Sequence, residues 1–168
     1  MTLRPLRGTD ASTVATYARE PDALTGVWLP LGASPHDPDL WAAWFVQEAR
    51  MGWSALGGRY GGGLAIDIDT RSFAGWVNFV PTRDDAVELS YGVAPAYRGR
   101  GVATAAARLA ADWALSAGFA VVELEIAAHH LESKRVAVKA GYSLTERFTK
   151  TIGATGETYD DLRFARTS

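Results

Sequence analysis

The sequence predicts a mixed α/β (α+β) domain, built on a mostly antiparallel sheet with one central β-α-β crossover and flanking helices. Three observations carry this. Residues 64–93 alternate apolar and polar positions in short runs divided by turn residues, which is the mark of a meander. From Gly101 the spacing becomes helical. The next segment, Phe119-Ala-Val-Val-Glu-Leu-Glu-Ile, is β-branched and apolar, and a strand separated from its predecessor by a whole helix must run parallel to it.

The elements follow in order. Thr2 to Arg7 reads as a short strand with Pro5 as an edge mark, and Thr9 or Asp10 caps a helix reaching Arg19, where Val14, Tyr17 and Ala18 repeat at helical spacing before Pro21. Four of the seven prolines lie in 21–38, so that stretch is an irregular connection. A second helix is expected over 38–49, with Asp37 or Asp39 near its start and Gly52 after its end. Leu64-Ala-Ile-Asp-Ile-Asp and Phe73-Ala-Gly-Trp-Val-Asn-Phe-Val form a hairpin about Asp69-Thr-Arg. Pro81 to Asp85 is the next turn, leading to the strand Val87-Glu-Leu-Ser-Tyr-Gly-Val. Val102, Ala106, Leu109, Trp113 and Ala117 share one helix face, with Gly118 as the stop. A shorter helix runs from Leu131 to Lys139, and two closing strands start at Gly141 and Tyr159.

Composition bounds the chemistry. At 168 residues, 48% hydrophobic and 21% charged, the chain fits a single domain over 1–168. A domain of that length buries roughly 70% of its unfolded surface without staples. The absence of cysteine excludes disulfides, thiolate metal sites and a thiol nucleophile. A net charge of −2 gives no global field for nucleic acid or an anionic membrane. No apolar run has the length of a signal peptide or a span, so a cytoplasmic protein is expected. His129 and His130 are adjacent and His36 is remote, so no metal site is expected.

The local charge is different. No acidic residue occurs between Glu88 and Asp112, while Arg98, Arg100 and Arg108 do. The junction Arg98-Gly-Arg-Gly-Val-Ala-Thr turns on two glycines into a helix, whose unpaired N–H groups and dipole make an anion site suited to a phosphate or pyrophosphate. A nucleotide P-loop is absent. A dinucleotide fingerprint fails too: its third glycine position is Thr104, Glu123 lies inside its strand, and no doubly wound sheet surrounds it.

Arg98-x-x-Gly101-x-Ala103 resembles the Gln/Arg-x-x-Gly-x-Gly/Ala signature of the GNAT superfamily of N-acetyltransferases. His130-x-x-Ser133 with Gly141-Tyr142 is similar to the Asn-x-x-Ser…Gly-Phe/Tyr element of its branch of ribosomal-protein N-terminal alanine and serine acetyltransferases. Leu3-Arg-Pro-Leu, Glu88-Leu-Ser-Tyr91 and the strand with Asp160 and Asp161 also resemble that branch. His130 stands where the family has asparagine, and Ala137 where many members place an acid tyrosine.

The resemblance implies the GNAT fold, acetyl-CoA as co-substrate and an amine as acceptor, attacking the thioester directly in a ternary complex. It places Arg98, Gly99, Arg100, Gly101, Val102, Ala103 and Thr104 at the phosphates, Val93 and Ala94 along the pantetheine arm, and His130 and Ser133 near it. An amine of pKa about 7.7 to 10.4 must lose a proton to attack, so a base is useful. The family position for it is Glu88, with Glu125 as second candidate and Ser133 as donor to the leaving thiolate. Lys134, Arg135 and Lys139 read as a solvated face from which Arg135 could reach a CoA phosphate. Six tryptophans are unusual, and Trp28, Trp41, Trp44 and Trp53 fall where the family roofs its acceptor, so Trp28 and Trp53 are candidate substrate contacts, against a role in the core. The acceptor reads as a protein or peptide N-terminus; the alternatives are a small amine (antibiotic, polyamine or amino acid) and a non-catalytic acyl-CoA-binding regulatory domain. No nucleic-acid or membrane partner is expected, and a homodimer is left open.

Overall fold

Alternation of buried and exposed side chains divides the chain into two apolar layers on either side of one sheet. The computed structural model describes residues 1–19, 39, 42, 43, 46, 47, 62–69, 73–151 and 158–168. In chain order the elements are β1 (Thr2–Pro5), α1 (Ala11–Ala18), β2 (Gly63–Asp67), β3 (Phe73–Arg83), β4 (Ala86–Val93), α2 (Val102–Ser116), β5 (Val121–Ala127), α3 (Leu131–Lys139), β6 (Ser143–Thr151) and β7 (Thr158–Thr167). Residues 39, 42, 43, 46 and 47 are also helical, where a second helix is expected. The seven strands lie in the order β1-β2-β3-β4-β5-β7-β6. Every pairing is antiparallel except β4 with β5, the two strands that α2 connects.

Val77, Phe79, Val87, Leu89, Val122, Leu124 and Phe164 face α2 and α3. Ala65 and Trp76 face the other way and meet Leu6, Val14, Ala15, Ala42 and Val46. The buried side of α2 is only in part the one that the spacing suggests, keeping Val102 and Ala106. It consists of Val102, Ala106, Ala107, Ala110, Ala111 and Ala114, while Leu109 and Trp113 are 40% and 43% exposed. An alanine face lets the helix axis lie close to the sheet, and the larger side chains are displaced to its rim, where Trp113 meets Phe79 at 5.2 Å between ring centroids.

Two boundaries also differ. β3 continues through Pro81 to Arg83, and the turn narrows to Asp84 and Asp85. Pro81 is tolerated because β2 pairs only as far along β3 as Asn78, so no ladder bond to β2 needs its missing N–H. Neither Thr9 nor Asp10 caps α1. A 3₁₀ turn over Gly8–Asp10 precedes that helix, and the Asp10 carboxylate accepts the Arg7 N–H at 2.7 Å and the Arg4 guanidinium at 2.9 Å. Arg4 also donates to Asp67 at 2.6 Å, which ties β1, the start of α1 and β2 together. Among the described residues no helix is long and apolar enough to cross a membrane.

Candidate active site

The site begins where the parallel ladder stops. β4 and β5 pair over three rungs only, Ala86 with Val121, Val87 with Val122 and Glu88 with Glu123, although β4 runs on to Val93 and β5 to Ala127. Backbone parity shows which groups the gap exposes. The Ala94 N–H donates to Ala74 at 2.8 Å, so Ala94, Gly92 and Ser90 bond toward β3 and the amides of Val93 and Tyr91 point toward β5. On the facing strand, the Ala128 N–H donates to Asp160, so Glu125 and Ala127 present their backbone to the same gap. Ala94 is thereby engaged at both ends, its carbonyl accepting the Tyr97 N–H at 2.9 Å. Of Val93 and Ala94, the pair expected along an extended arm, Val93 turns its backbone toward the gap, as Tyr91 does, and Ala94 turns toward β3.

At the mouth of the gap lies the start of α2. Gly99 and Gly101 take φ of +73° and +78°, the left-handed region where other residues are strained, and open space lies where their side chains would be. Ala105 makes the first helical bond, to Gly101 at 3.0 Å. The N–H groups of Val102, Ala103 and Thr104 therefore have no partner within the helix. Gly101 supplies no side-chain cap, and the first turn carries no acidic residue. The three nearby arginines differ in what they already hold. Nε of Arg98 donates to the Val93 carbonyl at 2.9 Å, joining the loop to the end of β4. Arg108 donates to the Lys139 carbonyl at 2.6 Å. Arg100 is exposed and makes no bond among the described residues.

Glu88 sits on the last paired rung. Its side chain lies on the sheet face opposite α2 and α3, between Val87 and Leu89, which face that core. Among the described residues it makes no hydrogen bond or ion pair. Burial, and then the negative charge of Glu125, push its carboxyl up to about 7. Glu125, two residues along β5 from the last rung and on the same face, is in the opposite situation. Burial works to raise its proton affinity, but the Lys150 ammonium at 2.5 Å and the Arg163 guanidinium at 2.9 Å reverse this and hold it below the usual carboxylate range. Two carboxyl groups on neighbouring strands thus have well-separated proton affinities, a pattern that distinguishes a proton acceptor from a fixed charge.

Lys150 and Arg163 were not evident as site residues from the sequence. They come from β6 and β7, and only the register that sets Glu125 opposite Arg163, and Arg163 opposite Glu146, brings them to β5. Asp161, buried on the same face, accepts the Leu162 N–H at 3.0 Å and lies 3.9 Å from Lys150. Phe148 completes the surface beneath the Arg163 guanidinium, 5.0 Å from its ring centroid. The one local signal for this cluster is the alternation of polar with buried apolar residues along β5 and β7; β6 has no buried residue.

His130 precedes α3 as its cap residue, and its Nδ1 lies 3.3 Å from the Ser133 hydroxyl, so the two polar groups meet at one helix start. Glu123 is paired with Arg83 at 3.0 Å. Lys134 donates to the Ala128 carbonyl at 2.6 Å, while Arg135 stays on the exposed side of α3. Trp28 and Trp53, with Trp41, Trp44, His36 and Asp37, lie outside the described residues; Asp39 pairs with Arg19 at 2.5 Å. Among the described residues no group of three His, Asp or Glu side chains is placed to hold a metal ion.

The family model for the acetyltransferase (GNAT) domain matches residues 1–143, a span that includes the gap, the α2 start and α3. Comparison with curated proteins gives no match. A GNAT-family acetyltransferase from Bacillus anthracis superposes with a TM-score of 0.77 at 20% identity, over 98% of this chain and 93% of that one. A ribosomal-protein-alanine N-acetyltransferase from Brucella melitensis gives 0.73 at 17% identity, over 100% of both chains. Spermidine N-acetyltransferase from Vibrio cholerae, in complex with CoA and spermine, gives 0.77 at 13%, over 99% of this chain and 94% of that one. At these identities the likeness is one of fold.

Proposed function

The chain belongs to the acetyltransferase (GNAT) family, and from that premise we propose that it moves an acetyl group from acetyl-CoA to a primary amine by direct attack, with Glu88 as the base. The observation that carries this is Glu88 itself: a largely buried carboxylate with no ion-pair partner among the described residues, on the last rung before β4 and β5 separate. A cytoplasmic setting goes with that donor.

The residues divide the work. The open amides of Val102, Ala103 and Thr104, with Arg100, suit the pyrophosphate of the donor, since a helix start favours anions and a guanidinium can grip one bidentately. The outward amides of Val93 and Tyr91 suit an extended arm laid along β4 as a missing strand. Glu88 takes a proton from the attacking amine, directly or through water, as nitrogen bonds to the thioester carbon. The Val93 N–H is oriented to meet the carbonyl oxygen as charge develops on it. The carbon–sulfur bond then breaks, and the Ser133 hydroxyl, in contact with His130, donates to the departing thiolate.

For the acceptor we favour a protein or peptide N-terminus, supported by the resemblance of the Ser133 and Tyr142 elements to the ribosomal-protein branch. A small polyamine is the second reading, supported by the spermidine enzyme that shares the fold. Thiol release from acetyl-CoA, measured against peptides beginning with alanine or serine and against spermidine, tests both. Release with peptides alone supports the first reading and release with spermidine alone the second. Binding of acetyl-CoA without release to any amine would leave a non-catalytic acyl-CoA-binding domain.

A further inference from the structure

We infer that Glu125 is a positioning residue, whose negative charge, held in place by Lys150 and Arg163, keeps Glu88 fit to accept a proton. This rests on the reading of Glu88 as the base.

The geometry supports it in three steps. Glu88 and Glu123 share the last rung of the β4–β5 ladder, and Glu125 is the next residue of β5 on the same face. Side chains two apart on adjacent strands are near enough to interact through their charges. Glu125 is fixed, because Lys150 from β6 reaches one of its oxygens at 2.5 Å and Arg163 from β7 the other at 2.9 Å. Arg163 is fixed in turn by Glu146. A carboxylate clamped by two cations on separate strands is a poor proton acceptor and a steady source of negative potential.

Among the described residues the other charges that face Glu88 are few. Glu123 adds to the negative potential, though Arg83 offsets it, while Lys150 and Arg163 oppose it, both being drawn onto Glu125. From β3, the rung partner of Glu88 is the uncharged Val80, with Asn78 next on that face. Loss of the Glu125 charge removes a repulsion and leaves the Lys150 and Arg163 charges less compensated, and both changes favour the ionised form of Glu88. The direction is therefore unambiguous.

Glu125→Gln is expected to keep measurable acetyl transfer while the acidic limb of its kcat/KM profile moves down by about 1 pH unit, the usual scale for one neighbouring charge. Glu125→Asp, which keeps the charge, returns the limb toward its original position. In the unsubstituted protein, a carbon-13 titration of the side-chain carboxyls should show Glu125 ionising before Glu88, which needs no variant to fold. The inference is overturned if Glu125→Gln abolishes transfer at every pH, if its limb does not move, or if Glu88 ionises first. Full activity of Glu88→Gln would instead overturn the assignment of the base, whatever Glu125 does.

Discussion

Glu88 and Glu123 stand side by side on the final rung of the β4–β5 ladder, yet among the described residues Glu123 has a cation, Arg83, within ion-pair distance and Glu88 has none. Burial and the Glu125 charge leave Glu88 half protonated at about pH 7. An amine-activating base works only when ionised, so kcat/KM should fall as pH drops below about 7, in a limb set by Glu88. Glu88→Gln should lower kcat by about 100-fold and remove that limb, within the usual range for a general base. Acetyl-CoA affinity should stay unchanged, since the amides proposed for its phosphates are those at the start of α2. A limb of the same midpoint in Glu88→Gln would assign it to another group.

The same carboxylate should weaken the fold. The folded-state value of Glu88, about 7, lies above its ordinary 4.5, so the native state holds the proton more tightly than the unfolded chain. Stability then falls as pH rises from about 4.5 to about 7, and the deficit is complete above that window. Glu88→Gln carries no such charge. It should be more stable than the unsubstituted protein by about 3 kcal/mol at pH 8, with the difference shrinking toward zero near pH 4. Denaturant unfolding at the two pH values measures this, and equal differences at both would contradict the linkage.

Arg100 and Arg108 differ in availability, and their substitutions should differ accordingly. Arg108 is spent on the Lys139 carbonyl, while Arg100 makes no bond among the described residues. Arg100→Ala should weaken acetyl-CoA binding by about tenfold, the loss of one charge-assisted contact of about 1.4 kcal/mol. It should also flatten the dependence of binding on salt. Arg108→Ala should lower the melting temperature and leave acetyl-CoA affinity as it was. Calorimetric titration with acetyl-CoA at two ionic strengths separates the two.

The turn into α2 and the strand that carries Glu88 were legible in the sequence because they are local. Gly99 and Gly101 before an alanine-rich helix, and Glu88 within the third meander strand, are patterns of a few residues each. The parallel placement of β5 followed from the length of the α2 connection. What could not be read is what depends on register across distant strands. Lys150 and Arg163 meet Glu125 through pairings 25 and 38 residues apart in sequence, and nothing near either cation marks it. The buried side of α2 was partly misread for a related reason. Helical spacing favours the largest apolar residues, Leu109 and Trp113, whereas close approach to a sheet selects the smallest.

Gly92 and Trp76 supply a last test, of the strand that carries the site. They face one another across β3 and β4, and a Cβ on Gly92 would fall 2.4 Å from Cζ2 and 2.6 Å from Cη2 of the Trp76 ring. The ring cannot easily give way, since it is packed with Leu6, Val14, Ala15 and Val46 beneath the sheet. Overpacking of this kind usually costs about 1–3 kcal/mol. Gly92→Ala should therefore destabilise the protein by that amount and, by displacing β4 next to Val93, lower kcat as well. Trp76→Phe removes the clashing part of the ring and by itself leaves a cavity, so it too should destabilise. Combined with Gly92→Ala it should restore part of the loss, giving a double substitution less harmful than the sum of the two. Strict additivity in denaturant unfolding would mean that the new methyl group meets something other than Trp76.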